Sequence, residues 1–304
     1  MTLTNGPEKA CFILNPKSGV RSTVSVPDLI GQHLDTTRWT PEIIFTERAG
    51  HATQLAQKAA ANGARLVVAV GGDGTVNEVA RGLLKTNAAL GILPKGSGNG
   101  LARHLGIPLA LPQALELLNT PVFHRIDSCA INNHPFFCTA GIGFDGLISS
   151  VFAQSTKRGL SSYIALVVKE FRTFTAQAAT VEINGHQLNS DFFVVAFANA
   201  SQYGNNAYIA PMADIQDGFL DVCLIRHVGV ADAIQLGYGL MTKQIASSGL
   251  AEFHTCSTVE VKSPQPQHFH ADGEFMGTAT EFKVQLFPES LEVVASLGAN
   301  VKAV

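Results

Sequence analysis

Several short stretches of this chain combine glycine with polar side chains at spacings that suit phosphate or proton chemistry. The densest is Gly71-Gly72-Asp73-Gly74-Thr75, which follows the valine-rich run Leu66 to Val70. Behind it, Val76, Val79, Ala80 and Leu83 fall on one helical face, with Glu78 and Arg81 off it. A buried strand, a glycine turn and a helix start gather backbone N–H groups at one point. Such a point suits the phosphates of a nucleotide, with a ligand-free βα turn as the plainer alternative. Pro94-Lys95-Gly96-Ser97-Gly98-Asn99-Gly100 repeats the arrangement after the strand-like run Leu90 to Leu93. It is neither a P-loop nor G-x-G-x-x-G, since residue 103 is Arg103. Ser97 and Asn99 can donate to phosphate or ribose oxygens, or cap the following helix. Asn15-Pro16-Lys17-Ser18-Gly19 is a third polar turn at a strand end. Its Lys17 and Ser18 could reach a phosphate, although composition alone favours a capped turn.

Carboxylates stand in three further turns. Asp272 and Glu274 bracket Gly273 after His268-Phe269-His270-Ala271, and such a pair can meet a metal ion or a hydroxyl proton. Asp145 lies in Gly141-Ile142-Gly143-Phe144-Asp145-Gly146, where a catalytic role and a cap on a helix from Gly146 are both open. Asp214-Ile215-Gln216-Asp217-Gly218-Phe219-Leu220-Asp221 is acidic and turn-forming. His268 and His270 alternate on one strand face, but no third ligand at useful spacing makes a zinc site.

These turns need a frame, and the composition supplies one. The chain has 304 residues, 46% hydrophobic and 15% charged, enough for two domains with a large core. A formal charge of −3 provides no field for nucleic acid or an anionic membrane. No apolar run is long enough to span a bilayer, and the first residues lack signal-peptide character, so a cytoplasmic location is expected. Five cysteines without a C-x-x-C pair read as reduced, buried thiols. Strands at 11–14, 42–46, 66–70 and 90–93 alternate with helices at 51–62, 75–84 and 111–118, while the stretch of about 20 residues after Gly19 reads as irregular. That alternation predicts a parallel sheet covered on both faces. From residue 124 the texture becomes strand-rich, with a hairpin at Asn184-Gly185, strands at 207–210, 220–225, 252–262, 268–271 and 280–287, and a helix at 230–241. The expected fold class is therefore α/β, a parallel-sheet domain over residues 1–123, completed by a final strand in 289–304, and a β-rich domain over 124–288.

Taken together, Asn15 to Gly19, Gly71 to Thr75 with Asn77-Glu78, Pro94 to Asn99, Gly141 to Asp145 and Asp272-Gly273-Glu274 resemble the diacylglycerol kinase catalytic family. The likeness is to its bacterial lipid kinase branch, related also to sphingosine and ceramide kinases. The resemblance runs from residue 11 to about 295, in family order. It implies a nucleotide-binding domain followed by a β-sandwich-like domain, with the active site in the cleft between them. It also implies transfer of the γ-phosphate of ATP, with Mg²⁺, to a lipid hydroxyl of diacylglycerol or sphingoid type.

By the same resemblance, Gly71, Gly72, Asp73, Gly74 and Thr75 cradle the phosphates. Asn15, Lys17, Ser18, Thr46, Glu78, Gly96, Ser97 and Asn99 complete the nucleotide site. Asp272 is the general-base candidate, Glu274 organises metal or nucleotide, and Asp145 and Asp73 belong to the catalytic geometry. Asp214 and Asp217 correspond to a structural Mg²⁺ site, weakened because Gln216 stands where an acid is usual. The implied partners are a lipid substrate and a transient membrane surface, at the inner face; a homodimer stays open. An NAD kinase or other soluble-metabolite kinase shares Gly-Gly-Asp-Gly but fits the Asn15 and Asp272 turns poorly. A non-catalytic nucleotide-binding protein on the same fold is opposed by the intact carboxylates.

Overall fold

The computed structural model describes residues 6–19, 25–155 and 159–296. The chain divides into two compact units, one of residues up to Ile126 together with those from Glu289, the other Asp127–Pro288.

The first unit is built on β1 (Glu8–Leu14), β2 (Trp39–Phe45), β3 (Leu66–Gly71), β4 (Ala89–Pro94) and the last residues of β14 (Glu274–Val294), in the order β14-β4-β3-β1-β2 with every pairing parallel. All residues of β3 and β4 are buried, as a parallel strand covered on both faces requires. The covering helices are α1 (Val26–His33), α2 (His51–Ala61), α3 (Asp73–Leu83), α4 (Gly100–His104) and α5 (Leu111–Asn119). Helix α1 corrects the sequence reading, which left this stretch irregular. It is short, but Ser25 caps it by accepting from Asp28 N–H, Pro27 sits in its first turn, and Val26 and Ile30 are buried. Gly82 lets α3 lie on α2: a Cβ there would be 2.5 Å from the Thr53 carbonyl oxygen. In register, Leu14 pairs with Phe45 and Val70, and Gly71 with Pro94. The carboxyl ends of β1 to β4 therefore finish at one edge of the sheet.

The second unit is antiparallel, through β12-β11-β10-β7-β13-β14. Its elements are β5 (Phe123–Ile131), β6 (His134–Phe136), β7 (Thr139–Gly143), α6 (Phe144–Gln154), α7 (Leu160–Phe171), β8 (Gln177–Ile183), β9 (His186–Phe192), β10 (Val194–Ala198), β11 (Leu220–Ile225), α8 (Val230–Thr242), β12 (Ala251–Cys256), β13 (Thr258–Ala271) and β14. Phe136, Phe197, Phe282 and Val261 centre one apolar core. A second, around Phe144, Phe193 and Ile209, takes Val167 and Phe171 from α7 and Leu236 and Leu240 from α8.

Several sequence expectations shift here. Residues 207–210 form no strand; Ile209 and Ala210 are buried at a bend in irregular backbone instead. After the hairpin turn, β9 and β10 are separate strands with Phe193 between them. The expected strand at 280–287 and the expected final strand both belong to β14. Helix α6 starts at Phe144 rather than Gly146. All five cysteines are buried and unbridged.

Candidate functional site

The polar turns of the first unit meet at that strand edge. Nδ2 of Asn15 donates to Oγ1 of Thr75 at 3.0 Å, and Oδ1 of Asn15 accepts from Lys17 N–H. Thr46 N–H donates to the Leu14 carbonyl at 2.8 Å, which sets Thr46 beside Asn15. A Cβ on Gly96 would lie 2.6 Å from Gly72 Cα, and one on Gly19, at φ +79°, 2.5 Å from the Lys95 carbonyl oxygen. Only glycine permits contacts this close. Both oxygens of Asp73 accept backbone N–H groups of the second turn, from Asn99 at 2.9 Å and Gly100 at 2.6 Å. The Asn99 side chain closes its own loop on Gly96, accepting from N–H and donating to C=O. Burial pushes the Asp73 carboxyl above its ordinary range, against the opposing pull of these amides. Lys17 and Ser97 are exposed, Ser18 and Gly74 half-buried. Glu78 faces elsewhere: its carboxylate accepts from Gly50 N–H at 2.8 Å and Ala52 N–H at 3.0 Å, capping α2, whose own cap residue Gly50 has no side chain to do so.

In the second unit, Asp272 takes a left-handed turn at φ 48°, followed by Gly273 at φ 78°. Its carboxylate is cradled by consecutive amides: Oδ1 accepts from Phe137, Cys138 and Thr139 at 3.3, 2.8 and 3.1 Å, and Oδ2 from Phe137 at 3.0 Å. Glu274 is exposed at the start of β14. Asp145 lies in the first turn of α6, directly over Gly141, where a Cβ would stand 2.1 Å from its Oδ2. Gly146 serves the same approach, since a Cβ there would meet the His268 carbonyl oxygen at 2.1 Å. Oδ1 of Asp145 accepts from Gly146 N–H at 2.8 Å; Oδ2 accepts from the Tyr203 hydroxyl at 3.2 Å and faces His270 Nε2 at 3.3 Å. Burial first, and Asp145 second, raise the Tyr203 hydroxyl well above its ordinary value, so it remains a donor.

Asp214 and Asp217 lie apart from this cluster in sequence, on the loop before β11. Their oxygens accept from Gln216 N–H at 3.0 Å and Phe219 N–H at 2.8 Å. Burial, then Asp214 and Asp127, raise the Asp217 carboxyl, and burial with Asp217 pushes Asp221 up to about 6. Half-buried Asp214 and exposed Asp217 repel one another, and carboxylate oxygens in such a pair are donors of the kind a hard divalent cation such as Mg²⁺ takes. Among the described residues, no three His, Cys, Asp or Glu side chains gather as a metal site.

Four residues have contacts at these turns that the sequence alone does not give. His270 and Tyr203 hold Asp145. Asp127 is fully buried and accepts from Gly218 N–H at 2.9 Å, tying down the acidic loop. Asn199 donates to the carbonyls of Asp127 and Phe137, linking that loop to the segment that cradles Asp272. A charged residue at the head of the apolar strand run Ser128 to Ile131 was the visible signal for Asp127.

The diacylglycerol kinase catalytic domain model matches residues 9–131, and the YegS C-terminal NAD kinase beta sandwich-like domain model matches 139–295. The chain is 30% identical over 295 residues to the "Probable lipid kinase YegS-like" protein of Pseudomonas putida, covering 96% of each chain. It is 30% identical over 299 residues to the protein of that name in Chromohalobacter salexigens, covering 95% of this chain and 93% of that one. A crystal structure of a diacylglycerol kinase from Bacillus anthracis superposes with a TM-score of 0.74 at 19% identity, over 96% of this chain and 98% of that one.

Proposed function

The chain belongs to the YegS-like branch of the diacylglycerol kinase catalytic family, and from that premise we propose that it transfers the γ-phosphate of ATP to the hydroxyl of a lipid. The observation that carries the reading is the meeting of the Asn15, Gly72 and Gly96 turns at one strand edge, a backbone-lined pole suited to a polyphosphate.

In the transfer, the acceptor oxygen forms a bond to the γ-phosphorus as the bond to the bridging oxygen breaks and ADP leaves. The hydroxyl proton passes to Asp272. The amides of Phe137, Cys138 and Thr139 hold its carboxylate in one orientation. Asp145 orients the acceptor hydroxyl. Mg²⁺ bound with ATP supplies charge neutralisation at the phosphates. Asp214 and Asp217 would hold a second, structural Mg²⁺: millimolar Mg²⁺ without nucleotide is expected to raise the melting temperature, and Asp217→Asn to abolish the rise.

The acceptor is of diacylglycerol or sphingoid type and is met at a membrane surface. No helix among the described residues is long and apolar enough to cross a membrane. Helix α8 instead exposes Val230, Ile234, Tyr238 and Met241, and α7 exposes Ile164 and Val168, apolar side chains suited to brief contact with lipid. The test is γ-labelled ATP offered with mixed micelles of diacylglycerol, sphingosine, ceramide or phosphatidylglycerol, and separately with NAD. Label in a lipid product supports the reading; label in NADP alone refutes it.

A further inference from the structure

One imidazole touches both carboxylate-bearing segments of the second unit. Gly273 N–H, the amide next to Asp272, donates to His270 Nδ1 at 3.2 Å. A nitrogen that accepts carries no proton in neutral imidazole, so the proton sits on Nε2, which faces Asp145 Oδ2 at 3.3 Å. The ring is held for this. His270 is 2% exposed, Tyr203 lies edge-on to it at 6.3 Å, and the β13–β14 register shifts between Phe269 and His270. The shift leaves Met276 of β14 without a partner opposite this point, and a bulged strand bends there.

We propose, resting on the kinase reading above, that His270 is a positioning residue. In its Nε2–H form it clasps the Asp272-Gly273 turn to Asp145, so that the proton acceptor and the hydroxyl-orienting carboxylate keep a fixed separation. His270 touches neither substrate nor phosphate. Its contribution appears in turnover and not in nucleotide binding, because reacting groups tolerate little displacement.

Three variants divide the clasp. His270→Gln keeps a donor near the Nε2 position, His270→Asn keeps an acceptor near Nδ1 only, and His270→Leu keeps neither. Each variant opens the clasp at one end or both, so Leu, Asn and Gln are all expected to lose about 100-fold in kcat with KM for ATP within about twofold. A Leu variant, or both single-end variants, turning over like the native chain overturns the proposal. Should Leu fail to fold, Gln and Asn decide. On the native chain, nitrogen-15 spectra of the imidazole are expected to show a proton on Nε2 and none on Nδ1; the opposite tautomer overturns the clasp whatever the turnover. That spectrum needs no acceptor. A native chain that labels no lipid therefore removes the kinase reading while leaving the tautomer result to be judged by itself.

Discussion

In the first unit Gly72 and Gly96 face each other backbone to backbone, whereas in the second Gly141 faces the carboxylate of Asp145. Glycine makes room for amides in one place and for an acid in the other. Most of the polar side chains divide the same way, although Asp272 of the second unit is cradled by amides as Asp73 is. Asn15, Asp73, Asn99 and Glu78 are engaged in shaping loops, by bonds to backbone or to one another's turns. Asp145, Tyr203 and His270 meet side chain to side chain. On the proposed function, the first centre would recognise by shape and amide dipoles, and the second would act through ionisable groups. Damage to the first is therefore expected in affinity, and damage to the second in turnover.

Gly141→Ala is the strongest way to break that division. Its Cβ would stand 2.1 Å from Asp145 Oδ2. Displacing this carboxylate lowers kcat by about 100-fold or more, with nucleotide affinity retained; calorimetric titration showing lost nucleotide binding would contradict it. Gly96→Ala is the mirror case. A methyl 2.6 Å from Gly72 Cα parts the two turns. Nucleotide Kd rises by about tenfold to 100-fold, while saturating ATP recovers most of the rate. A fall in kcat at saturation with Kd unchanged would reverse the assignment.

The glycine turns were legible because their cause is local. A strand end, a glycine and a helix start lie within a few residues, and the close approach of Gly72 to Gly96 needs glycine whatever the rest of the sheet does. The clasp was not legible, because His270 and Asp145 are 125 residues apart and meet only through strand register and a bulge. Asp127 and Gly218 are 91 apart, and the same holds for them. Glu78 shows the same limit: it stands beside the glycine motif, yet its carboxylate bonds to the start of α2, 26 and 28 residues away. At 207–210 the apolar residues predict a strand, yet the core takes them from a bend in irregular backbone, since burial alone does not select a backbone conformation.

Two smaller effects sharpen the contrast. Asp221 has its carboxyl raised from 3.8 to about 6, so the folded chain holds that proton more tightly than the unfolded chain. Its contribution to stability is therefore full below pH ~4 and lost as the pH rises through about 6. Asp221→Asn is expected to stabilise the chain by about 1 kcal/mol at pH 7 and little at pH 4; urea denaturation at both values measures it. Equal effects at the two pH values would place the cause outside this carboxyl. Glu78→Ala removes a helix cap and costs about 1 kcal/mol of stability, with Kd for ATP and kcat unchanged. A tenfold loss of ATP affinity would return Glu78 to the nucleotide site.

The most direct measurement takes Asp272→Asn and reads nucleotide binding and phosphate transfer on the same preparation. Transfer to lipid is expected to fall about 1,000-fold while ATP binds as it does to the native chain. Near-native transfer would contradict the role given to Asp272, and transfer lost together with ATP binding would contradict the division between the two centres.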